Sequence, residues 1–269
     1  MVKTQLIKVI RMDFKDKVVL ISGATGGMAQ EIIKILSKED CKLAIFARRE
    51  EKLKEISKNL SNCIYQKCDV TKPEDVKKAV GATLKKYGRI DLALLTAGVL
   101  VPFPIQTFNS KQIRDSLEIN FMGNVYFIEQ LLPIMKKQKS GTMAVISTLP
   151  DKRGVAGWGT YGASKAALSW LLESLRAEAK QRYNIDIITI KPGSVKTPMI
   201  EKFPRQGAIS SEDAAKAIVN GIKKGKKIIE FPLMEVLLIK MKGLLPVFAY
   251  DLFPVEESKG AGFPQVDEE

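Results

Sequence analysis

Short apolar runs recur along the chain, and a longer stretch with charged or amphipathic spacing follows most of them. Most of the runs are rich in valine, isoleucine and leucine, which is typical of strands buried on both faces of a parallel sheet. The runs cover residues 17–22, 42–47, 62–70, 91–96, 141–148, 186–191 and 226–231. Since strands that alternate with helices build βαβ units, we predict an α/β fold, a doubly wound parallel seven-stranded sheet with helices on both faces.

The stretches between the runs predict the helices and the domain organisation. Pro73 stands near one helix start and Gly88 at its end, positions that these residue types favour. No stretch has the composition of a linker, so residues 1–254 are predicted to form a single domain. That domain includes an apolar C-terminal segment at 231–254, and a loose acidic tail follows at 255–269. Helices are expected across residues 27–40, 50–60, 73–88, 110–118, 121–137, 158–182 and 211–224.

Residue types that are rare or absent exclude several classes of enzyme. The chain contains no histidine, which excludes a Ser-His-Asp hydrolase, a Cys-His protease and a His-ligated zinc site. The chain has three cysteines, Cys41, Cys63 and Cys68, and few other ligand types lie near them. The odd number and the lack of ligands predict inert thiols, no metal site and a reducing, cytoplasmic compartment. The net charge is +13, but the lysines are spread beside glutamates, so a solvated surface is favoured over a nucleic-acid site.

A glycine-rich turn, SGATGGMAQ, follows the first predicted strand. Gly23, Gly26 and Gly27 allow a sharp turn and a close approach of backbone amides to a ligand. The N-terminus of the next helix offers unpaired N–H groups to a phosphate. This arrangement predicts nucleotide binding.

The end of the second predicted strand indicates which nucleotide is bound. NAD-binding chains usually carry an acidic residue there for the ribose 2′-hydroxyl, but this chain has Ala47 followed by Arg48 and Arg49. Guanidinium groups can hold a 2′-phosphate with planar, charge-assisted hydrogen bonds. We therefore predict NADP(H) as the cofactor, with the alternative that the two arginines only begin a charged helix.

The sequence YGASK places Tyr161 and Lys165 four residues apart within a predicted helix. Side chains with this spacing lie on one helix face, and the residues between them are small. A cation close to a phenol favours the phenolate, so the pair can act as a general acid and base. The alternative is an ordinary surface contact.

Taken in order, the glycine-rich turn, Asp69, Asn120, YGASK and KPGSVKTPM resemble the motifs of the short-chain dehydrogenase/reductase family over about residues 14–230. Three positions depart from the family pattern. Ala29 replaces the last glycine of Thr-Gly-x-x-x-Gly-x-Gly, Leu95-Thr96 replaces the first half of Asn-Asn-Ala-Gly, and Thr148 replaces a serine. The resemblance implies a Rossmann fold and an NADP(H)-dependent oxidoreductase that needs no metal.

The resemblance also implies the site residues. Tyr161 exchanges a proton with the substrate oxygen, Lys165 tunes that tyrosine and holds the nicotinamide ribose, Thr148 binds the substrate oxygen, and Asn120 orders a water. The side chain of Ser147, next to Thr148, is expected on the other face of its strand. The residues implied to contact the cofactor are Gly23, Thr25, Gly26, Gly27, Met28, Arg48, Arg49, Asp69, Val70, Ala97, Gly98, Tyr161, Lys165, Pro192, Gly193, Val195 and Thr197.

Residues 231–254 are densely apolar but are interrupted by Glu235, Lys240 and Lys242, and the basic stretch KKGKK precedes them. This segment is expected to cover the substrate cleft, to form a subunit contact in a homodimer or homotetramer, or to lie on the cytoplasmic face of a membrane. Each alternative favours a hydrophobic ketone or secondary alcohol as substrate, such as a 3-oxoacyl, sphingoid or steroid-like compound. The alternative function is a non-catalytic NADP(H)-binding sensor or scaffold.

Overall fold

The computed structural model describes residues 12–201 and 207–252, and the structural statements below concern these residues. The predicted acidic tail at 255–269 and the last two residues of the predicted apolar segment at 231–254 lie outside them.

A parallel sheet of seven strands runs through the described chain. Its strands are β1 (Val18–Ser22), β2 (Lys42–Ala47), β3 (Cys63–Lys67), β4 (Leu92–Leu95), β5 (Gly141–Ile146), β6 (Ile185–Pro192) and β9 (Ile228–Phe231). The spatial order is β3-β2-β1-β4-β5-β6-β9, and every pairing is parallel. Two short strands, β7 (Val195–Lys196) and β8 (Ile209–Ser210), pair with each other. The predicted fold is confirmed, and its strand order reverses between β1 and β4, where open sheets of this kind bind ligands.

Helices cover both faces of the sheet. They are α1 (Gly27–Leu36), α2 (Glu50–Ser57), α3 (Pro73–Tyr87), α4 (Ser110–Leu117), α5 (Gly123–Gln138), α6 (Gly159–Tyr183), α7 (Ser211–Lys223), α8 (Leu233–Gly243) and α9 (Val247–Tyr250), with a 3₁₀ turn at Ile105–Thr107. Buried side chains form two clusters. In the first, α1 and α7 pack against the sheet, and in the second, α3, α5 and α6 pack against it. Because both faces are covered, β1 and β4 are buried along their whole lengths, which explains their uninterrupted apolar sequences.

The ends of several elements differ from their predicted positions. β5 ends at Ile146, so Thr148 lies beyond the strand instead of inside it. The helices predicted at 110–118 and 121–137 are joined by a π-helical turn, Glu118–Met122, in which Asn120 is fully buried. Such turns are rare and are often found at functional sites. Gly88 ends α3 with φ 75°, as the sequence predicts.

The three cysteines are free and lie in or near the sheet. Burial raises the pKa of Cys41 to about 11 and that of both Cys63 and Cys68 to about 12. Nucleophilic attack requires the thiolate, so the prediction of inert thiols agrees with their surroundings. Within residues 12–201 and 207–252, no three His, Cys, Asp or Glu side chains are grouped as metal ligands.

The C-terminal helices α8 and α9 pack on the loop that precedes α6. Arg153 of that loop donates hydrogen bonds to the carbonyl oxygens of Gly243 and Leu245, and its guanidinium lies 4.9 Å from the centre of the Tyr250 ring. The Tyr250 hydroxyl donates to the carbonyl oxygen of Gly154 at 2.9 Å. The apolar segment therefore covers the loop that contains Arg153 and Gly154.

The outer side of this segment is exposed and apolar. Its large exposed apolar side chains, among which the exposed Lys240 and Lys242 are interspersed, are Leu233, Met234, Leu237, Leu238, Met241, Leu244, Val247, Phe248 and Leu252. No helix in the described part of the chain is long and apolar enough to cross a membrane. A continuous exposed apolar face of this kind is typical of a contact surface.

Candidate active site

A cavity of ≈ 140 Å³ opens beyond the carboxyl ends of β4, β5 and β6. Most of its wall is apolar, with contributions from Val99, Leu100, Val155, Trp158 and Ile200. The polar groups are few, which is the usual character of a small-molecule site. The structure brings into this one wall the following predicted site residues: Met28, Gly98, Thr148, Tyr161, Lys165, Pro192, Gly193, Val195 and Thr197.

The glycine-rich turn packs closely against two other segments of the chain, one of which lines the cavity. Gly23 has φ 67°, and a Cβ atom there would lie 2.7 Å from the Ala97 nitrogen, so only glycine fits. A Cβ on Gly27 would lie 3.3 Å from Cγ2 of Thr197, which lines the cavity. No side chain caps the first turn of α1, which begins at Gly27. The unpaired N–H groups of this helix end suit a phosphate.

The two arginines after β2 lie at the same turn. Arg49 Nη2 donates to the carbonyl oxygen of Thr25 at 3.0 Å and to Thr25 Oγ1 at 3.1 Å. Arg48 is exposed. The Arg49 guanidinium is therefore held at the glycine-rich turn instead of extending along α2, which gives the turn a positive charge where a phosphate would bind.

Asp69 and Val70 follow β3 and shape the neighbouring loop. Asp69 Oδ1 accepts hydrogen bonds from the Thr71 backbone N–H at 3.0 Å and from Thr71 Oγ1 at 2.9 Å. Val70 packs against the start of α5, where a Cβ on Gly123 would lie 2.7 Å from Val70 Cγ2. Both residues thus stabilise the loop, and neither belongs to the cavity wall.

Thr96 explains how the chain tolerates its departure from the family element after β4. Thr96 Oγ1 donates to the carbonyl oxygen of Ser22 at 2.6 Å, which ties the end of β4 to the end of β1. This bond holds Ala97 against Gly23. The hydroxyl therefore provides a local anchor at the crevice although the family's asparagine is absent.

Asn120 connects the loop after β4 to α6. Its Oδ1 accepts from the Val99 backbone N–H at 2.8 Å, and its Nδ2 donates to the Val99 carbonyl oxygen at 3.0 Å and to Ser164 Oγ at 3.1 Å. Ser164 precedes Lys165 in α6, and Ser164 Oγ donates to the Tyr161 carbonyl oxygen at 2.8 Å. The Asn120 side chain therefore positions the cavity wall, and its implied water-ordering role stays a prediction. Sequence reasoning missed Ser164 and Val99, because small and apolar residues carry no catalytic signature.

Tyr161 and Lys165 lie on the same face of α6 and both line the cavity, together with Thr148. Lys165 is only 3% exposed, and its Nζ donates to the Ile146 carbonyl oxygen at 2.8 Å. Burial disfavours the ammonium form and lowers the pKa of Lys165 to about 8. A Cβ on Gly98 would lie 3.3 Å from Lys165 Nζ, so the absence of a side chain there leaves room around the amine.

Thr148 and Ser147 point in different directions. Thr148 lines the cavity, whereas Ser147 Oγ donates to the Lys165 carbonyl oxygen at 3.0 Å and lies 2.7 Å from Ser169 Oγ. The predicted opposite orientation of Ser147 is confirmed. Thr148 is therefore the hydroxyl of this pair that a bound substrate can reach.

Glu235 also lines the cavity, and the sequence analysis treated it only as an interruption of the apolar segment. It lies in the first turn of α8, and its Oε2 accepts from the Ser194 backbone N–H at 2.8 Å. In the sequence, Glu235 is marked only as a single acidic residue within an apolar run. No neighbouring residue indicates that it contacts the segment after β6.

The chain is similar in sequence to known oxidoreductases. Residues 17–208 match the model of a family described as short chain dehydrogenase. An uncharacterized oxidoreductase of Listeria monocytogenes is 34% identical over 195 residues, 71% of this chain and 79% of that protein. The Arabidopsis thaliana protein named 11-beta-hydroxysteroid dehydrogenase-like 3 is 34% identical over 248 residues, 86% of this chain and 78% of that protein.

Solved structures share the fold. A short chain dehydrogenase/reductase from Burkholderia phymatum, in complex with NAD, aligns with a TM-score of 0.79 at 18% identity and covers 86% of this chain and 94% of its own. A short chain dehydrogenase from Burkholderia cenocepacia, in complex with NADP, aligns with a TM-score of 0.77 at 20% identity over 90% of this chain and 100% of its own. At these identities the likeness concerns the fold alone.

Proposed function

Since the chain belongs to the short-chain dehydrogenase/reductase family, we propose that this oxidoreductase uses NADP(H) to interconvert a hydrophobic ketone and a secondary alcohol. The observation that carries the proposal is the meeting of Tyr161, Lys165 and Thr148 in one largely apolar cavity. A proton donor, a cation and a second hydroxyl next to an apolar wall suit a neutral carbonyl compound.

Three residues of the cavity have different roles in the proposed carbonyl reduction. The Tyr161 hydroxyl gives its proton to the carbonyl oxygen, and in alcohol oxidation the same oxygen takes a proton back. The Thr148 hydroxyl donates a hydrogen bond to the developing oxyanion. The Lys165 ammonium favours the tyrosinate that remains after proton transfer. A bound nicotinamide supplies or accepts the hydride.

The described residues fit a dinucleotide. Gly23 packs against the Ala97 backbone, where a Cβ atom would collide, and the uncapped N-terminus of α1 that follows this turn can offer its N–H groups to a phosphate. Arg49 stands at the turn, and Arg48 is exposed beside it. This positive charge, together with Ala47 at the end of β2 where NAD-binding chains usually carry an acidic residue, supports NADP(H) over NAD(H).

The double variant Arg48→Ala/Arg49→Ala is expected to weaken NADPH binding by about 10- to 100-fold, the value of one charge-assisted hydrogen bond to a phosphate, which contributes roughly 1.5–3 kcal/mol. NADH affinity should hardly change, because NADH lacks the 2′-phosphate. Titration of each cofactor by fluorescence measures both constants. Lys54→Ala, which removes a positive charge on the exposed side of α2, serves as the control. Equal losses for NADPH and NADH would contradict the role of the two arginines.

The alternative function is a non-catalytic NADP(H)-binding sensor or scaffold. The departures at Ala29, Leu95-Thr96 and Thr148 are the features that favour it. Against it, Thr148 keeps a hydroxyl in the cavity wall beside Tyr161 and Lys165. Consumption of NADPH with a panel of hydrophobic ketones separates the two functions, since a sensor binds the cofactor without turnover.

The cavity wall supports a lipophilic substrate of the 3-oxoacyl, sphingoid or steroid-like type. The Arabidopsis relative is named after a hydroxysteroid, which supports the same class of compound for this chain. We further propose a homodimer or homotetramer, and one domain that spans residues 1–254.

We place the protein in the cytoplasm, with α8 and α9 in contact with an anionic membrane surface. The exposed apolar side chains of these helices and the exposed Lys224, Lys226 and Lys227, which precede β9 in the chain, support this location. Lys223 is already paired with Glu39 at 2.7 Å and is not needed for the contact. An apolar surface at the mouth of the cavity would let a lipid-like substrate enter from the membrane.

The double variant Leu244→Glu/Phe248→Glu tests the membrane contact. Both side chains are strongly exposed, at 86% and 74%, so the change should abolish sedimentation with anionic phosphatidylserine vesicles while it leaves the fold intact. Sedimentation of the wild type should fall with salt because each lysine near the surface contributes about 1 kcal/mol. Trp170→Glu, which alters an exposed apolar residue on α6, is the control. If the wild type fails to sediment with these vesicles, the membrane location is wrong.

A further inference from the structure

A carboxylate from the C-terminal helix forms part of the cavity wall. Glu235 is the only acidic residue among the described residues that line the cavity, whose wall is otherwise mostly apolar. Lys191, which precedes the β6 end of the wall, is paired with Asp151 at 2.6 Å, so that charge is already compensated. Glu235 therefore brings a negative charge to a wall whose other charged group, Lys165, is hydrogen-bonded to the Ile146 carbonyl oxygen.

The contacts of Glu235 fix the position of its carboxylate. Oε2 accepts from the Ser194 backbone N–H at 2.8 Å, and Oε1 accepts from Ser194 Oγ at 3.2 Å. The carboxylate lies so close to Gly193 that a Cβ atom on this residue would collide with it. Glu235 is thus anchored directly above the turn that the sequence assigns to the nicotinamide side of the site.

The anchored carboxylate keeps free hydrogen-bonding capacity. An ionised carboxylate has about four acceptor positions, and the bonds to Ser194 occupy two of them. In an apolar wall a charged acceptor favours a donor on the ligand and repels a ligand anion. A ketone without any donor leaves this acceptor unpaired, which weakens binding.

We infer that Glu235 is a specificity-determining residue, which accepts a hydrogen bond from an ammonium or hydroxyl group of the substrate and rejects ketones that carry a carboxylate or phosphate. This inference rests on the proposed ketone reduction and narrows its substrate class. Among the proposed classes, the sphingoid-like ketones carry both an amine and a hydroxyl group next to the carbonyl. A 3-oxoacyl thioester offers only acceptors there, so Glu235 selects against it.

The test compares a long-chain 2-amino-1-hydroxy-3-ketone with the unsubstituted 3-ketone of the same length. In the wild type, kcat/KM for the amino ketone should exceed that for the plain ketone by about 10- to 100-fold, the value of one charge-assisted hydrogen bond. Glu235→Gln keeps the size of the side chain and an acceptor for the Ser194 N–H, but it removes the charge. In this variant the ratio of the two kcat/KM values should fall by about 10- to 100-fold, because the amino ketone loses its charged partner and the plain ketone no longer leaves a charged acceptor unpaired.

Two controls separate a role in specificity from a role in structure. Glu230→Gln removes a carboxylate that pairs with Lys240 of α8 outside the cavity, and it should leave the preference unchanged. If Glu235 only fastens α8, then Glu235→Gln should weaken NADPH binding and both ketone activities together. That result, or an unchanged preference in Glu235→Gln, would overturn the inference.

A binding measurement keeps this test independent of turnover. Calorimetric titration of the NADPH-loaded protein, which has no hydride acceptor, with a long-chain 2-amino-1,3-diol should give about 10- to 100-fold weaker binding in Glu235→Gln than in the wild type. If no ketone is reduced but this difference is found, the proposed reaction is wrong and the ligand preference stands. If ketones are reduced and the difference is absent, the reaction stands and the role of Glu235 is wrong.

Discussion

The Tyr161→Phe variant is expected to reduce ketones at least about 100-fold more slowly than the wild type, because a positioned general acid contributes roughly 10²–10⁴ to the rate. The substitution removes only the hydroxyl group and leaves the half-buried ring in the cavity wall. The cofactor contacts near the glycine-rich turn are untouched, so the affinity for NADPH should stay within about threefold of the wild-type value. Steady-state NADPH oxidation and a fluorescence titration measure the two quantities.

A second tyrosine provides the matched control for this experiment. The Tyr126 hydroxyl of α5 donates to Glu118 at 2.9 Å and lies outside the cavity wall, so Tyr126→Phe should leave turnover unchanged. If Tyr161→Phe keeps more than a few per cent of the wild-type rate, another group supplies the proton and the proposed mechanism fails. A wild type without turnover on any hydrophobic ketone would favour the sensor function instead.

The Lys165→Met variant is expected to lower kcat by about 100-fold or more and to weaken NADPH binding as well, since a buried donor aimed at developing charge typically contributes that much. Unlike the tyrosine substitution, this change removes a cation to which the proposed mechanism gives a part in both the acid–base step and cofactor binding. Lys180→Met, on the same helix, removes a partly exposed lysine paired with Asp186 at 2.9 Å and should change neither quantity. A variant with normal NADPH affinity would exclude Lys165 from cofactor binding.

The pH dependence provides an independent measurement of Lys165. Burial lowers its pKa from 10.5 to about 8, so the cofactor-free protein loses this ammonium as the pH rises through about 8. NADPH affinity should therefore fall above that pH in the wild type and show no such step in Lys165→Met. Between these two pKa values the unfolded chain binds more protons than the folded one, so the lysine makes the free energy of unfolding rise with pH across that window. Thermal unfolding of the cofactor-free protein from pH 7 to 10 should give a smaller rise for Lys165→Met.

Local sequence patterns predict much of this protein. The alternation of apolar runs and helical stretches predicts a parallel seven-stranded sheet, because burial on both faces imposes a recognisable composition on each strand. The spacing of Tyr161 and Lys165 predicts a shared helix face, since helical geometry relates residues four positions apart. The left-handed backbone conformation at Gly23, with a φ of 67°, likewise has a local signal, because glycine adopts it without steric cost.

Other features follow from contacts between distant segments. The bond from Thr96 to the Ser22 carbonyl depends on the pairing of β4 with β1, and no pattern around Thr96 announces it. The π-helical turn around Asn120 likewise accompanies bonds to Val99 and to Ser164 on other elements. In both cases the position of a side-chain hydroxyl or amide depends on hydrogen-bond partners that are far away along the chain.

The sequence by itself determined the sheet, the nucleotide-binding turn and the pair Tyr161–Lys165, because each depends on residues that are neighbours along one strand, turn or helix. Only the tertiary structure decided that Lys165 is buried deeply enough for its pKa to fall, that Arg49 folds back on Thr25, and that Glu235 enters the cavity wall. Burial and electrostatic fields are sums over atoms that are close in space. Ser194 and Glu235 lie 41 residues apart in the sequence, so they come into contact only when the helix after β9 packs against the end of β6.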